Sequence, residues 1–272
     1  MRIRCLWWAL VFTVATASGA RAQAPYYLAL GDSLSIGIQP AADGSFVATN
    51  QGYVDDLYAL ARTRVPALQL AKLGCVAETT TSMITGLQSD CYKAPDSQLQ
   101  QAVAFLDANN VLLVTLDIGA DNLLQCFSLS APIDPTCVTT ATATAANDLA
   151  FILGTLRAHA PHALIVGMNY YDPFAAAWIF GPAGRALATA SVPATLFFNR
   201  ALETVYAATG TPVADVEAAF RTTSFPANVI LALGWTWMSA PPPRGPDVHP
   251  NLLGYAAIAS AFTKAIAAAV GQ

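Results

Sequence analysis

The chain is short of charge, and of positive charge above all. Asp, Glu, Lys and Arg make up 11% of its 272 residues. Setting aside the first 22 residues leaves 10 basic against 17 acidic side chains, about −7, with no basic run. A nucleic-acid surface or an anionic membrane face needs the opposite balance, so neither is an expected partner. Histidine is scarce too, with only His159, His162 and His249. No two cysteines stand in CxxC spacing and none has a histidine beside it, which leaves the common zinc patterns unfilled. No metal and no organic cofactor is expected. Past residue 22 no uncharged apolar stretch is long enough to cross a bilayer, so stable membrane insertion is not expected. No internal repeat and no clear linker divides the chain.

What is present begins with Met1–Ala22. Arg2 and Arg4 precede an uncharged apolar stretch from Cys5 to about Ala17, and "ARA" then precedes Gln23. This is the three-part pattern of a secretory signal peptide with a small-x-small cleavage site. The apolar stretch is short for an anchor, and no lipobox-like cysteine follows it. The reading is a signal peptide over 1–22, one domain over 23–272, and a secreted or periplasmic monomer. Four cysteines remain, Cys75, Cys91, Cys126 and Cys137. An even number in an exported chain suggests two disulfides. Of three pairings, Cys75–Cys91 and Cys126–Cys137 close the shortest loops and are favoured.

Apolar runs alternate with segments of helical spacing. Strands are expected at 26–31, 67–74, 111–119, 163–171 and 211–216. Helices are expected at 52–64, 97–109, 142–160, 194–209 and 251–270. "VLLVTLDIG" is a continuous apolar run, the mark of a central strand buried on both faces. The β-α-β-α order predicts an α/β fold: a three-layer α/β/α sandwich around a mainly parallel five-stranded sheet. Sites in such sheets lie outside the carboxyl ends of the strands.

Four polar clusters fall at those ends: Asp32-Ser33, "GCVAETT" (74–80), "GADN" (119–122) and "PDVHPN" (246–251). Together they suit acyl transfer to water. A serine hydroxyl is a weak nucleophile until a base takes its proton, and His249 is the candidate base for Ser33. An acid on the other imidazole nitrogen would fix its tautomer and stabilise the imidazolium, and Asp247 is the nearest.

In these blocks the sequence resembles the SGNH, or GDSL, hydrolases, esterases and lipases with a flavodoxin-like sheet. "GDSLS" matches the first block, "GCVAETT" the second, "DIGADNLL" the third and "DVHPN" the last. The resemblance covers essentially the whole chain after residue 22. It implies Ser33 as nucleophile, His249 and Asp247 as its relay, and an oxyanion hole from the N–H groups of Ser33 and Ala77 with the Asn122 amide. The substrate implied is a small-molecule, lipid or carbohydrate ester. Three positions depart from the pattern. Ala77 stands where the family usually has glycine. The usual Gly-x-Asn-Asp reads Gly119-Ala120-Asp121-Asn122, and a charged Asp121 facing the oxyanion would repel it. Asp247 lies two residues before the histidine, where three is usual.

Other readings stand beside these. Ser33 could cap a following helix. Asp247 could be the N-terminal acid of the closing helix, and Asp121-Asn122 a plain Asx turn. Asp32 reads as a structural carboxylate. His159 and His162 read as solvated residues at a helix end. Trp235 and Trp237 could wall a substrate or pack in the core. Residues 175–184 could be an apolar flap or a buried helical turn. A non-catalytic binding module on the same fold, or an acyltransferase using the same residues, remains the alternative to a hydrolase.

Overall fold

The structure, a computed structural model, describes residues 24–128 and 131–271. The expected signal peptide lies outside them. Among the described residues the order is β1 (Tyr26–Gly31), β2 (Gln39–Pro40), β3 (Phe46–Val47), α1 (Tyr53–Arg62), β4 (Gln69–Lys72), α2 (Thr80–Thr85), α3 (Gln98–Ala108), β5 (Val111–Asp117), α4 (Ala120–Leu124), α5 (Pro135–His159), β6 (Leu164–Met168), α6 (Gly181–Ala208), β7 (Val213–Ala214), α7 (Val216–Ala219), α8 (Val229–Trp235) and α9 (Leu252–Val270). Five strands form one sheet in the order β4-β1-β5-β6-β7, every pair parallel. β2 and β3 make a separate antiparallel hairpin.

Parallel pairing forces each connection across a face of the sheet, so helices cover both sides. α1, α7 and α9 pack together on one side, and α2, α3, α4, α5 and α6 on the other. The first strand shows why. Tyr27, Leu28, Ala29 and Leu30 are all fully buried, with apolar side chains meeting a helix layer on each face. α9 is long and apolar enough to span a bilayer by length and composition. Here Tyr255, Ile258 and Phe262 turn into the core, and Phe262 stacks on Tyr53 of α1 with centroids 4.8 Å apart.

Two helices are longer than their periodicity suggests. α5 begins at Pro135 rather than Thr142, because Asp134 caps it by accepting from the Thr136 N–H at 2.8 Å. α6 begins at Gly181 and runs through Pro193, where the expected helix began only at Ala194. Proline removes one ladder bond. Tertiary contacts outweigh it: Leu187, Ala188 and Ser191 are buried, and the Ser191 hydroxyl donates to Asp172 at 2.7 Å. Ala175, Ala176 and Ala177 are fully buried in a 3₁₀ turn, Pro173–Ile179, so the first part of that stretch is a packed turn, while Ile179 and Phe180 beyond it are exposed.

Cys75 is bonded to Cys91 and Cys126 to Cys137, with Cα separations of 5.9 and 5.7 Å. The first bridge ties the loop after β4 to the segment before α3. The second ties the end of α4 to the first turn of α5.

Candidate active site

β1 delivers Ser33 through a tightly held turn. Gly31 has φ +136°, and a Cβ there would collide with the Asp117 carbonyl of β5, so the position requires glycine. Gln98 of α3 brackets it: its Oε1 accepts from the Gly31 N–H at 2.7 Å and its Nε2 donates to the Gly31 carbonyl at 2.9 Å. The residues that follow form a turn and not a helix, with the Ile38 N–H donating to the Ser33 carbonyl at 3.2 Å. Ser33 is therefore not a helix cap. Asp32 Oδ1 accepts from the Leu34 N–H at 2.9 Å. Burial and then Asp121 push the Asp32 carboxyl well above the usual range, and burial and then Asp32 do the same to Asp117. Two desolvated carboxyls thus underlie the serine turn, and the protonated form is favoured in each.

The last loop brings His249 and Asp247 to Ser33. His249 Nε2 lies 2.9 Å from Ser33 Oγ. Asp247 Oδ1 accepts both from His249 Nδ1 and from the His249 backbone N–H, each at 2.9 Å, and Oδ2 lies 3.2 Å from Nδ1. A spacing of two residues suffices because the carboxylate folds back over its own loop. Ser33, His249 and Asp247 are 8%, 7% and 8% exposed, enough burial to strengthen the charge interactions between them. His159 is elsewhere, paired with Asp107 at 2.8 Å, and His162 is exposed.

The support of this loop is mostly main chain. The Trp237 N–H donates to the His249 carbonyl at 3.0 Å, the Asp247 N–H to the Trp237 carbonyl at 3.3 Å, and the Asn251 N–H to the Trp235 carbonyl at 2.9 Å. The Tyr171 hydroxyl donates to the Val248 carbonyl at 2.8 Å. Gln39 bridges the two segments, donating to the Pro250 carbonyl at 3.1 Å and accepting from Trp237 Nε1 at 2.8 Å. Phe46, on β3, stands edge-on to the His249 ring with centroids 5.1 Å apart. Sequence reasoning missed Gln39 and Phe46, which nothing local marks, and gave Tyr171, in the "YYDPF" that follows the fourth strand and resembles the same family, no part in the site. Neither tryptophan lines the cavity over Ser33, and Trp235 packs edge-on to Phe220.

That cavity holds about 240 Å³. Asp32, Ser33, Asp121, Tyr170, Tyr171, Thr195, Asp247 and His249 supply its polar side chains, with the Ala77 backbone beside them. Val76, Leu123, Leu124, Phe127, Pro173, Phe198 and Val248 supply much of the rest. Ala77 has φ +56°, the left-handed region, so alanine takes up the backbone form that glycine adopts freely. The Asn122 expectation needs correction. Its Oδ1 accepts from the Thr80 N–H at 2.9 Å, its Nδ2 donates to Thr80 Oγ1 at 3.1 Å, and it is absent from the cavity wall. The loop has not shifted to compensate for the exchanged pair, and Asp121 occupies the cavity position instead. Burial raises the Asp121 carboxyl to about 6, opposed by the charge of His249 and reinforced by that of Glu78. Among the described residues no cluster of three or more His, Cys, Asp or Glu could hold a metal ion.

Solved structures share this architecture. Phospholipase A1 from Streptomyces albidoflavus NA297 superposes with a TM-score of 0.59 at 21% identity, covering 90% of this chain and 100% of its own. The extracellular lipase from Streptomyces rimosus gives 0.58 at 20%, covering 89% and 100%. Est24, a carbohydrate acetylesterase from Sinorhizobium meliloti, gives 0.55 at 13%, covering 90% and 99%. Among curated proteins none matches the chain significantly. The sequence profile of the GDSL-like Lipase/Acylhydrolase family matches residues 29–257. That span starts inside β1, ends inside α9 and takes in Ser33, Ala77, Asp121, Asp247 and His249, and the chain belongs to this family of ester hydrolases.

Proposed function

We propose that the chain is an exported, monomeric hydrolase that cleaves carboxylic esters through a covalent acyl-enzyme on Ser33. The observation that carries this is Ser33 Oγ at 2.9 Å from His249 Nε2, with Asp247 behind the imidazole, on the wall of an apolar cavity. Ser33 Oγ attacks the ester carbonyl carbon while His249 Nε2 takes its proton. The carbonyl electron pair moves onto oxygen, which the N–H groups of Ser33 and Ala77 receive. Collapse expels the alcohol, which takes the proton from His249, and water repeats the sequence on the acyl-enzyme.

The cavity, at about 240 Å³, is smaller than the ~300–1,000 Å³ of drug-sized ligand sites. With Leu123, Leu124, Phe127 and Phe198 on its wall, it suits a short or medium acyl chain. Export is supported by the signal-like Met1–Ala22 and by the two disulfides.

The test is hydrolysis of p-nitrophenyl esters from acetate to palmitate by the protein and by Ser33→Ala. Activity that peaks at short or medium acyl chains and disappears in the variant is expected. Equal turnover by the two proteins refutes the nucleophile. An inactive protein whose Ser33 also ignores a fluorophosphonate would be a binding module.

A further inference from the structure

The exchanged pair at 121–122 leaves a carboxylic acid where an oxyanion donor is needed. Asp121 and Ser33 reach the same cavity from neighbouring strands: Gly31 and Asp117 are partners in the β1–β5 register, with Ser33 two residues beyond one and Asp121 four beyond the other. The Asn122 amide is committed to Thr80 at both ends and cannot substitute without breaking those bonds. The Asp121 carboxyl has no hydrogen-bond or ion-pair partner among the described residues. An ionised carboxylate here would face the developing oxyanion, and like charges in a desolvated pocket oppose each other strongly.

We propose that Asp121 is a catalytic residue that completes the oxyanion hole as a neutral acid, its O–H donating to the oxyanion alongside the N–H groups of Ser33 and Ala77. The assignment rests on the hydrolase reading of Ser33. Asp121 keeps its proton throughout. When Ser33 Oγ bonds to the carbonyl carbon and His249 takes the hydroxyl proton, the carbonyl pair moves to oxygen and accepts from Asp121. When that pair re-forms the carbonyl and the alcohol leaves with the His249 proton, the hydrogen bond weakens again.

The groups around Asp121 favour this form. Burial and the charge of Glu78, from the loop before α2, raise its carboxyl, while Asp32 from the turn after β1 and Tyr170 and Tyr171 from the segment after β6 are themselves pushed toward their neutral forms beside it. None of them is a cation. Asp247 stands on the same cavity wall. From α5, Asp148 is turned to the hydroxyls of Thr80 and Thr81 at 2.9 and 2.6 Å. α6 contributes only Thr195 and Phe198 to the wall. His249 is the one group that opposes protonation. It does so only while charged, and the imidazole must be neutral to act as base.

The test is the pH dependence of kcat/KM, which reports groups of the free enzyme. Hydrolysis of a short-chain alkyl ester is followed by pH-stat from about pH 5 to about pH 9, with the rate of Ser33 labelling by a fluorophosphonate measured in parallel. The wild type is expected to lose activity on its alkaline side as Asp121 ionises. Asp121→Asn, which donates at every pH, is expected to lose that alkaline fall and to exceed the wild type at least tenfold at about pH 9. Asp121→Ala is expected to lie about 10²–10³ below the wild type at its optimum, the cost of one missing oxyanion donor. A wild type and an Asp121→Asn variant with the same alkaline limb overturn the assignment while leaving the hydrolase intact. A wild type inert to both ester and fluorophosphonate overturns the hydrolase reading and this assignment with it.

Discussion

Replacing Asp247 by Asn and by Ala should have unequal effects, and the hydrogen bonds say why. One oxygen, Oδ1, accepts from both His249 Nδ1 and the His249 backbone N–H at 2.9 Å. An asparagine must keep its carbonyl oxygen at that point. Its NH₂ there would face the backbone donor and leave both groups unpaired, at about 1–3 kcal/mol in a buried site. With the oxygen in place, Nδ1 still has an acceptor and keeps its proton, so Nε2 stays free to take the proton of Ser33. What is lost is the charge. A hydrogen bond to a charged group contributes about 1.5–3 kcal/mol against about 1 for a neutral one. The difference, with 1.36 kcal/mol per tenfold in rate, predicts a fall in kcat of about 2- to 30-fold for Asp247→Asn. Asp247→Ala removes the acceptor from both donors and should cost about 10⁴, as loss of the triad acid does elsewhere. The assay is kcat on a short-chain ester for both variants, with circular dichroism and melting to confirm the fold. An Asn variant as poor as Ala would refute the argument, because it would mean that the amide flips and inverts the tautomer.

Three further outcomes follow from the structure. Ala77→Gly should remove a left-handed alanine that costs about 1–2 kcal/mol and add about 0.4–1 kcal/mol of unfolded-state entropy; thermal melting should therefore show a gain of up to about 1.6 kcal/mol with kcat unchanged, and a loss of stability would refute the strain. Cys126→Ala with Cys137→Ala opens a loop of sequence separation 11, which should cost about 3 kcal/mol in denaturant unfolding; an unchanged midpoint would remove the bridge from the structural account. Asp172 is fully desolvated and held by Ser191 and the Phe174 N–H, and burial raises it from 3.8 to about 7. The native state then binds more protons than the unfolded chain between those values, so the Asp172 contribution to stability falls as pH rises through that window. Asp172→Asn should therefore gain stability over the wild type at about pH 8 and little at about pH 4, and equal gains at both would contradict it.

The elements legible in the sequence were those that write their burial into one short stretch. β1 and β5 are continuous apolar runs because helices cover them on both faces. Ser33 and His249 announce themselves through Gly31-Asp32 and the turn around Pro250, where the backbone needs particular residues. Less legible were features decided by partners far along the chain. Nothing in residues 181–192 shows that Asp172 will hold them helical through Pro193. Gln39 meets Trp237 and Pro250 across some two hundred residues, a relation no local pattern encodes. The exchanged pair at 121–122 was visible as an anomaly. Which member would face Ser33 depended on Thr80, from a different loop, claiming the Asn122 amide.

The way His249 is suspended also bears on how the surface around it can change. Trp237 exchanges main-chain bonds with Asp247 and His249, so residues 238–246 form an excursion whose two ends are already joined. Those bonds do not depend on side-chain identity. Lengthening a closed excursion costs little, because loop entropy grows only with the logarithm of its length. The proline-rich stretch from Pro241 to Pro246 supplies none of the cavity wall, and its outside contacts are few, Pro243 against Gly44 and Arg244 over the Trp237 ring. It can lengthen, shorten or acquire new side chains while the imidazole stays registered against Ser33.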